Sequence, residues 1–88
     1  MIILKEHLKG EYGWKPENLW PAYKGEATRR LFNRWDGVQV LFIINVFVQQ
    51  NFTATIQDGL RAEELLLEKL PLGHKSELSV LQWLQKHN

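Results

Sequence analysis

Apolar residues crowd the middle of the chain. From Val38 to Val48 every even position is apolar, and only Gln39 and Asn45 interrupt the run. Beyond it, Phe52, Ala54 and Ile56 alternate with Thr53, Thr55 and Gln57. Strict alternation puts one face of a pleated strand against a core. Twelve of the twenty residues from 38 to 57 are Val, Ile, Thr or Phe, types whose stiff or bulky side chains suit a pleated surface. Gln49-Gln50-Asn51 offers a turn, with Asn tolerant of positive φ. The pattern therefore predicts a β-hairpin over about 38–57, open to a third strand from the apolar start at 1–5.

Helical spacing marks three other segments. Glu26 to Trp35 holds good helix formers and no breaker, with Leu31 and Trp35 facing inward. Asp36-Gly37 closes it. Asp58-Gly59 breaks the second strand, and Leu60 to Leu70 is rich in Leu, Glu and Ala. Pro71-Leu72-Gly73 ends that helix. Ser76 can cap a last helix over 77–87, with Leu78, Leu81 and Leu84 on one face. Residues 10–25 carry Gly10, Gly13, Pro16, Pro21 and Gly25, which forbid a long helix; one short turn fits at Glu17 to Trp20. The expected fold is α+β: one domain over 1–88, with a hairpin or short antiparallel sheet on helices 26–35, 60–70 and 77–87.

An all-α helical bundle is the alternative. Asp36 can act as an N-cap with Gln39 reaching back. On a helical wheel Gln39, Asn45, Gln49 and Gln50 share an arc of roughly 140°. Phe47-Val48-Gln49-Gln50-Asn51-Phe52, followed by Ile56 and Leu81-Gln82-Trp83-Leu84, is similar to the second half of acyl carrier proteins. The resemblance implies an all-helical arrangement. Such carriers attach their prosthetic arm to a Ser after an Asp, whereas here Asp36 precedes Gly37, so at most a degenerate carrier-like domain is implied.

At 88 residues, the chain buries only about 60–65% of its unfolded surface, a modest core. The chain has no cysteine, so neither a disulfide nor a thiolate zinc site supports it, and the cytoplasm is the expected location. The apolar start is too short for a signal peptide, and the central run too short for a membrane span. Asn51-Phe52-Thr53 is read as a chance glycosylation match. The net charge of +1 argues against a surface built wholly for nucleic acid or an anionic membrane.

Candidate chemistry is sparse. His7, His74 and His87 are scattered, and the four-residue step from His7 to Glu11 is interrupted by Gly10. Neither serine sits in a nucleophile elbow. Gly73-His74-Lys75-Ser76 fails the phosphate-loop pattern. Glu63, Glu64, Glu68 and Lys69 read as a solvated helix face. No catalytic residue, metal site or cofactor is expected, and the chain is not expected to be an enzyme.

One segment stands out. Tyr12, Trp14, Trp20, Tyr23, Phe32 and Trp35 fall between positions 12 and 35, where five basic side chains face two acidic ones for a local net of +3. Aromatics with arginine can simply anchor loops to a core. The same pairing also dominates protein interfaces, and aromatic–basic interleaving suits single-stranded nucleic acid. The expected function is a non-enzymatic binding or regulatory module acting through protein–protein contacts. Trp14, Trp20 and Tyr23 would be its anchors, and Arg29, Arg30 and Arg34 would pair with acidic groups. Single-stranded nucleic-acid binding through 12–35 is the alternative, and a small enzyme a more distant one. The partners expected are a second copy, drawn by unpaired sheet edges, and an unidentified protein; no membrane is expected.

Overall fold

The computed structural model describes residues 3–20, 23, 25–50, 53–71, 73 and 75–87. It has three α-helices: α1 at Gly37–Gln49, α2 at Ile56–Glu68 and α3 at Glu77–His87. Two short 3₁₀ turns precede them at Lys5–His7 and Glu17–Leu19. Among the described residues there is no strand. The bridges among them are the isolated pairs Gly13–Asp36, parallel, and Leu31–Ser76, antiparallel. The all-helical alternative fits, and the α+β expectation is overturned.

The expected hairpin is largely one helix. Asp36 caps α1, its carboxylate accepting the Val38 N–H at 3.1 Å. Nine of the helix's residues are buried, spread round most of its axis. The one partly open side carries Leu41 and Phe42 beside Asn45 and Gln49, so the helix shows little amphipathic period to read. Its even-numbered apolar positions imitate a strand only because two polar residues break the run. The second expected strand overlaps the start of α2. There Thr55 and Asp58 form a capping box: the Asp58 carboxylate accepts the Thr55 N–H at 2.7 Å, and the Thr55 hydroxyl accepts the Asp58 N–H at 3.4 Å. Helix α2 thus begins four residues before the expected Leu60. Residues 1 and 2 of the expected third strand, Asn51 and Phe52 of the hairpin, and His74 lie outside the described residues.

The helix expected over 26–35 is absent. Residues 28–32 instead run beside the start of α3. Phe32 N–H donates to the Lys75 carbonyl at 2.7 Å, Glu77 N–H to Arg30 at 2.8 Å and Leu78 N–H to Thr28 at 3.0 Å. Thr28 Oγ1 accepts the Arg30 N–H at 3.2 Å, a local bond that competes with a helical one. Ala27 and Phe32 reach the core while Leu31 and Trp35 stay out, so tertiary pairing overrides good helix propensity.

Helix α3 spans the residues marked for it, and Ser76 accepts the Ser79 N–H at 3.2 Å. The three helices pack pairwise around Ile43, Ile44, Ala62, Leu66, Val80 and Leu84. Among the described residues before 36, the two 3₁₀ turns are the only helical structure, and the segment wraps this trio. It is attached by backbone bonds at Gly13 and residues 28–32 and by side chains sent out from the helices.

Both Asp-Gly steps lie at helix starts, not helix ends. A β-carbon on Gly37 would sit 2.5–2.7 Å from the Trp14 indole, and one on Gly59 would sit 2.5 Å from Ile3 Cδ1. Glycine is present there because side chains pack directly on the backbone.

Candidate binding surface

Two glutamates expected to be solvated or unremarkable are buried anchors for the wrapping segment. Glu63 on α2 is 2% exposed. It accepts the N–H of Lys9, at 2.9 Å to both oxygens, the N–H of Gly10 at 3.0 Å and the Tyr12 hydroxyl at 2.6 Å. Burial raises the Tyr12 phenol above its ordinary range, and the bond to the Glu63 carboxylate and its charge add to this. The expected solvated face is therefore corrected: Glu64, Glu68 and Lys69 are exposed, but Glu63 is not.

Glu77 on α3 is wholly buried. It accepts from Thr28 N at 3.1 Å, Thr28 Oγ1 at 3.2 Å, Gln39 Nε2 at 2.8 Å and Arg30 Nε and Nη2 at 3.0 and 3.2 Å. Burial opposes its charge, but the bonds from Gln39, Arg30 and Thr28 outweigh it and hold the carboxyl below its ordinary value. Every bond to these two carboxylates binds the chain to itself. Neither is arranged as a general acid or base.

The six sequence-marked residues divide by environment. Trp14 is half-buried over Gly37, with Tyr12 edge-on at 5.9 Å, Trp20 tilted at 5.9 Å and Lys5 Nζ 4.8 Å from its ring. Trp20 donates its indole N–H to the Lys15 carbonyl at 2.7 Å. Tyr23 stacks on Phe42 of α1 at 5.0 Å, and the Arg30 guanidinium lies 4.4 Å from the Tyr23 ring centre. Burial raises the Tyr23 phenol, with Asp36 and Glu77 reinforcing and Arg30 opposing. Arg30 is thus committed to Glu77. Arg34 donates to the Leu70 and Pro71 carbonyls, both at 2.9 Å, at the end of α2. Arg29 is exposed. The structure brings Tyr23 and Arg30 together and places Trp14 with Trp20, but it does not gather the three arginines into one patch.

Two residues read as inward-facing are, with Leu19, the exposed large apolar side chains of this segment. Trp35 is 62% exposed and Leu31 57%. No sequence signal separates them from core residues; their exposure follows from the missing helix.

A groove of about 310 Å³ opens where this segment meets α1. Trp20, Tyr23 and Gly25 form one wall, and Leu41, Phe42 and Val46 the other, with Asn45 and Gln49 as polar points. A larger, acidic groove of about 690 Å³ lies along α2 beside Lys9 and Gly10. Among the described residues no three His, Asp or Glu side chains converge to hold a metal ion, and no helix is long and apolar enough to cross a membrane. Comparison with protein families, with curated proteins and with solved structures returns no match.

Proposed function

We propose that this protein is a non-enzymatic binding module, acting through protein–protein contacts made by residues 12–35 and the adjoining face of α1. The observation that carries this reading is the exposure of Trp35 and Leu31, at 62% and 57%. Large apolar side chains held at the surface are the groups that dominate interface energetics. The groove lined by Trp20, Tyr23 and Phe42 supplies a concave apolar site in the same segment. Arg30 and Arg34 are occupied by intramolecular bonds, so the exposed Arg29 is assigned to an acidic group on the partner. The lack of cysteine supports a reducing compartment, the cytoplasm.

The test is a peptide-display selection against the wild-type chain, followed by affinity measurements on a Leu31→Ser/Trp35→Ser variant. Both positions are exposed, so the variant's stability should stay within about 1 kcal/mol of wild type. Selected peptides should pair an apolar anchor with acidic neighbours and bind the variant at least ~10-fold more weakly, a difference of ~1.4 kcal/mol. Peptides that bind both chains equally would rule this surface out.

A further inference from the structure

The segment Ile3–Tyr12 lies on α1 and α2 much as a bound peptide lies on a receptor. The Asn45 side-chain amide on α1 reads both backbone groups of Ile3: its oxygen accepts the N–H at 2.6 Å and its nitrogen donates to the carbonyl at 2.9 Å. Glu63 on α2 reads the next amides, Lys9 and Gly10, and then the Tyr12 hydroxyl. Ile3 is fully buried against Gly59, and Leu8 and Tyr12 pack on the core edge. Between these anchors Leu4 is half-exposed, and Lys5 and Glu6 are exposed in a 3₁₀ turn that buries nothing. The 690 Å³ groove runs beside the strap along α2. The strap is therefore held at its anchors and not along its length. At Gly13 the chain is tied down again, donating to the Trp35 carbonyl at 2.7 Å and accepting the Gly37 N–H at 3.2 Å.

We propose that residues 3–12 form an exchangeable strap, and that its second binding site is the same α1–α2 surface of another copy of this chain. The occupant follows from the structure: the receptor already holds this segment, with each anchor matched. Reach also allows it. Pivoting at Gly13, ten extended residues span roughly 33 Å, and the molecule's longest dimension is 31 Å. Exchange of an identical element breaks and remakes the same contacts, which makes it a low-cost route to a dimer. This route needs no sheet edge, so it stands apart from the reason for self-association that the hairpin supplied. It also makes no use of Leu31 or Trp35, or of Trp20 and Phe42 in the groove.

The cysteine-free chain allows single-site labelling. One population carries a donor dye at Glu6→Cys on the strap, the other an acceptor dye at Glu64→Cys on α2; both positions are exposed. A strap competes with its own copy at an effective concentration of order millimolar, so transfer is read up to about 1 mM protein. Energy transfer should rise with concentration. Because exchange remakes the contacts it breaks, weakening the strap should leave the plateau of transfer unchanged and speed its approach. With Tyr12→Phe in both populations the rate should rise at least ~2-fold after mixing, since each strap loses its bond to Glu63 before it can leave. No transfer at the highest concentration, or a rate of approach indifferent to Tyr12→Phe, overturns the proposal.

Discussion

Gln39 of α1 and Glu77 of α3 share a hydrogen bond of 2.8 Å, with both side chains buried. The Gln39 amide also donates to the Leu31 carbonyl at 3.0 Å and accepts the Asn33 N–H at 2.8 Å. One neutral side chain thus connects two helices and the extended segment that crosses them. Buried polar groups of this kind are satisfied only together: loss of one partner leaves the others desolvated and unpaired.

Acid should attack this network first. The folded Glu77 carboxyl lies below its ordinary value of 4.5, because the bonds it accepts outweigh its burial. Between the two values the unfolded chain binds a proton that the folded chain does not. The stabilisation is therefore present above the ordinary value and lost as pH falls through the folded one. Urea midpoints measured from pH 7 to pH 2 should fall on the acid side. Gln39→Leu should lower stability at pH 7 by about 2–4 kcal/mol and flatten the acid limb, since it removes a donor from Glu77. An unchanged acid limb would show that Gln39 does not support the charge.

Alkali should act on Tyr12. Its phenol is raised above the ordinary value of 10.0, so the contribution is complete below that pH and is lost as pH rises through the folded value. Absorbance titration should show Tyr12 ionising only as helical circular dichroism is lost. Tyr12→Phe should cost about 1–2 kcal/mol at neutral pH, through the lost bond to buried Glu63, and weaken the alkaline decline.

Gly37→Ala should destabilise despite the better helix propensity of alanine. Propensity favours the change by up to about 1 kcal/mol, but the new β-carbon would meet the Trp14 ring at 2.5–2.7 Å. Overpacking of that kind costs about 1–3 kcal/mol. Trp14→Leu should relieve the clash, so thermal unfolding of the double variant should show a favourable coupling of at least ~0.5 kcal/mol. Additive effects would mean that the indole does not rest on this backbone.

The C-terminal half of the fold was the legible part. Helix α3 carries its apolar face and its Ser76 cap in plain spacing, and α2 lacked only the Thr55–Asp58 box at its start. Helix α1 misled because it is buried over most of its surface and its open side still carries Leu41 and Phe42, so its period is weak and even spacing imitated a strand. Residues 26–35 misled differently: their propensity is helical, but a carboxylate 47 residues on from Arg30 holds them extended. The glutamate anchors had a partial signal. Glu63 lies in the stripe Gly59, Ala62, Leu66 and Leu70, whose other members are apolar and buried. An acid in such a stripe points to a buried partner. That the partner is backbone from residues 9–10 follows only from tertiary structure. Among the marked site residues, sequence separated neither the committed arginines, Arg30 and Arg34, from exposed Arg29, nor half-buried Trp14 from exposed Trp35.

The way the first third of the chain is attached has a kinetic consequence. Its fastenings through Asn45, Glu63, Glu77 and Arg34 join residues 36 to 54 apart in sequence. Each closes a long loop before any bond rewards it, whereas the three helices are neighbours along the chain. The helical trio should therefore assemble first, and the wrapping segment should dock late onto a body that already has most of its shape. Mutations in the wrap would then act chiefly on the rate of unfolding, and mutations within the trio on the rate of folding.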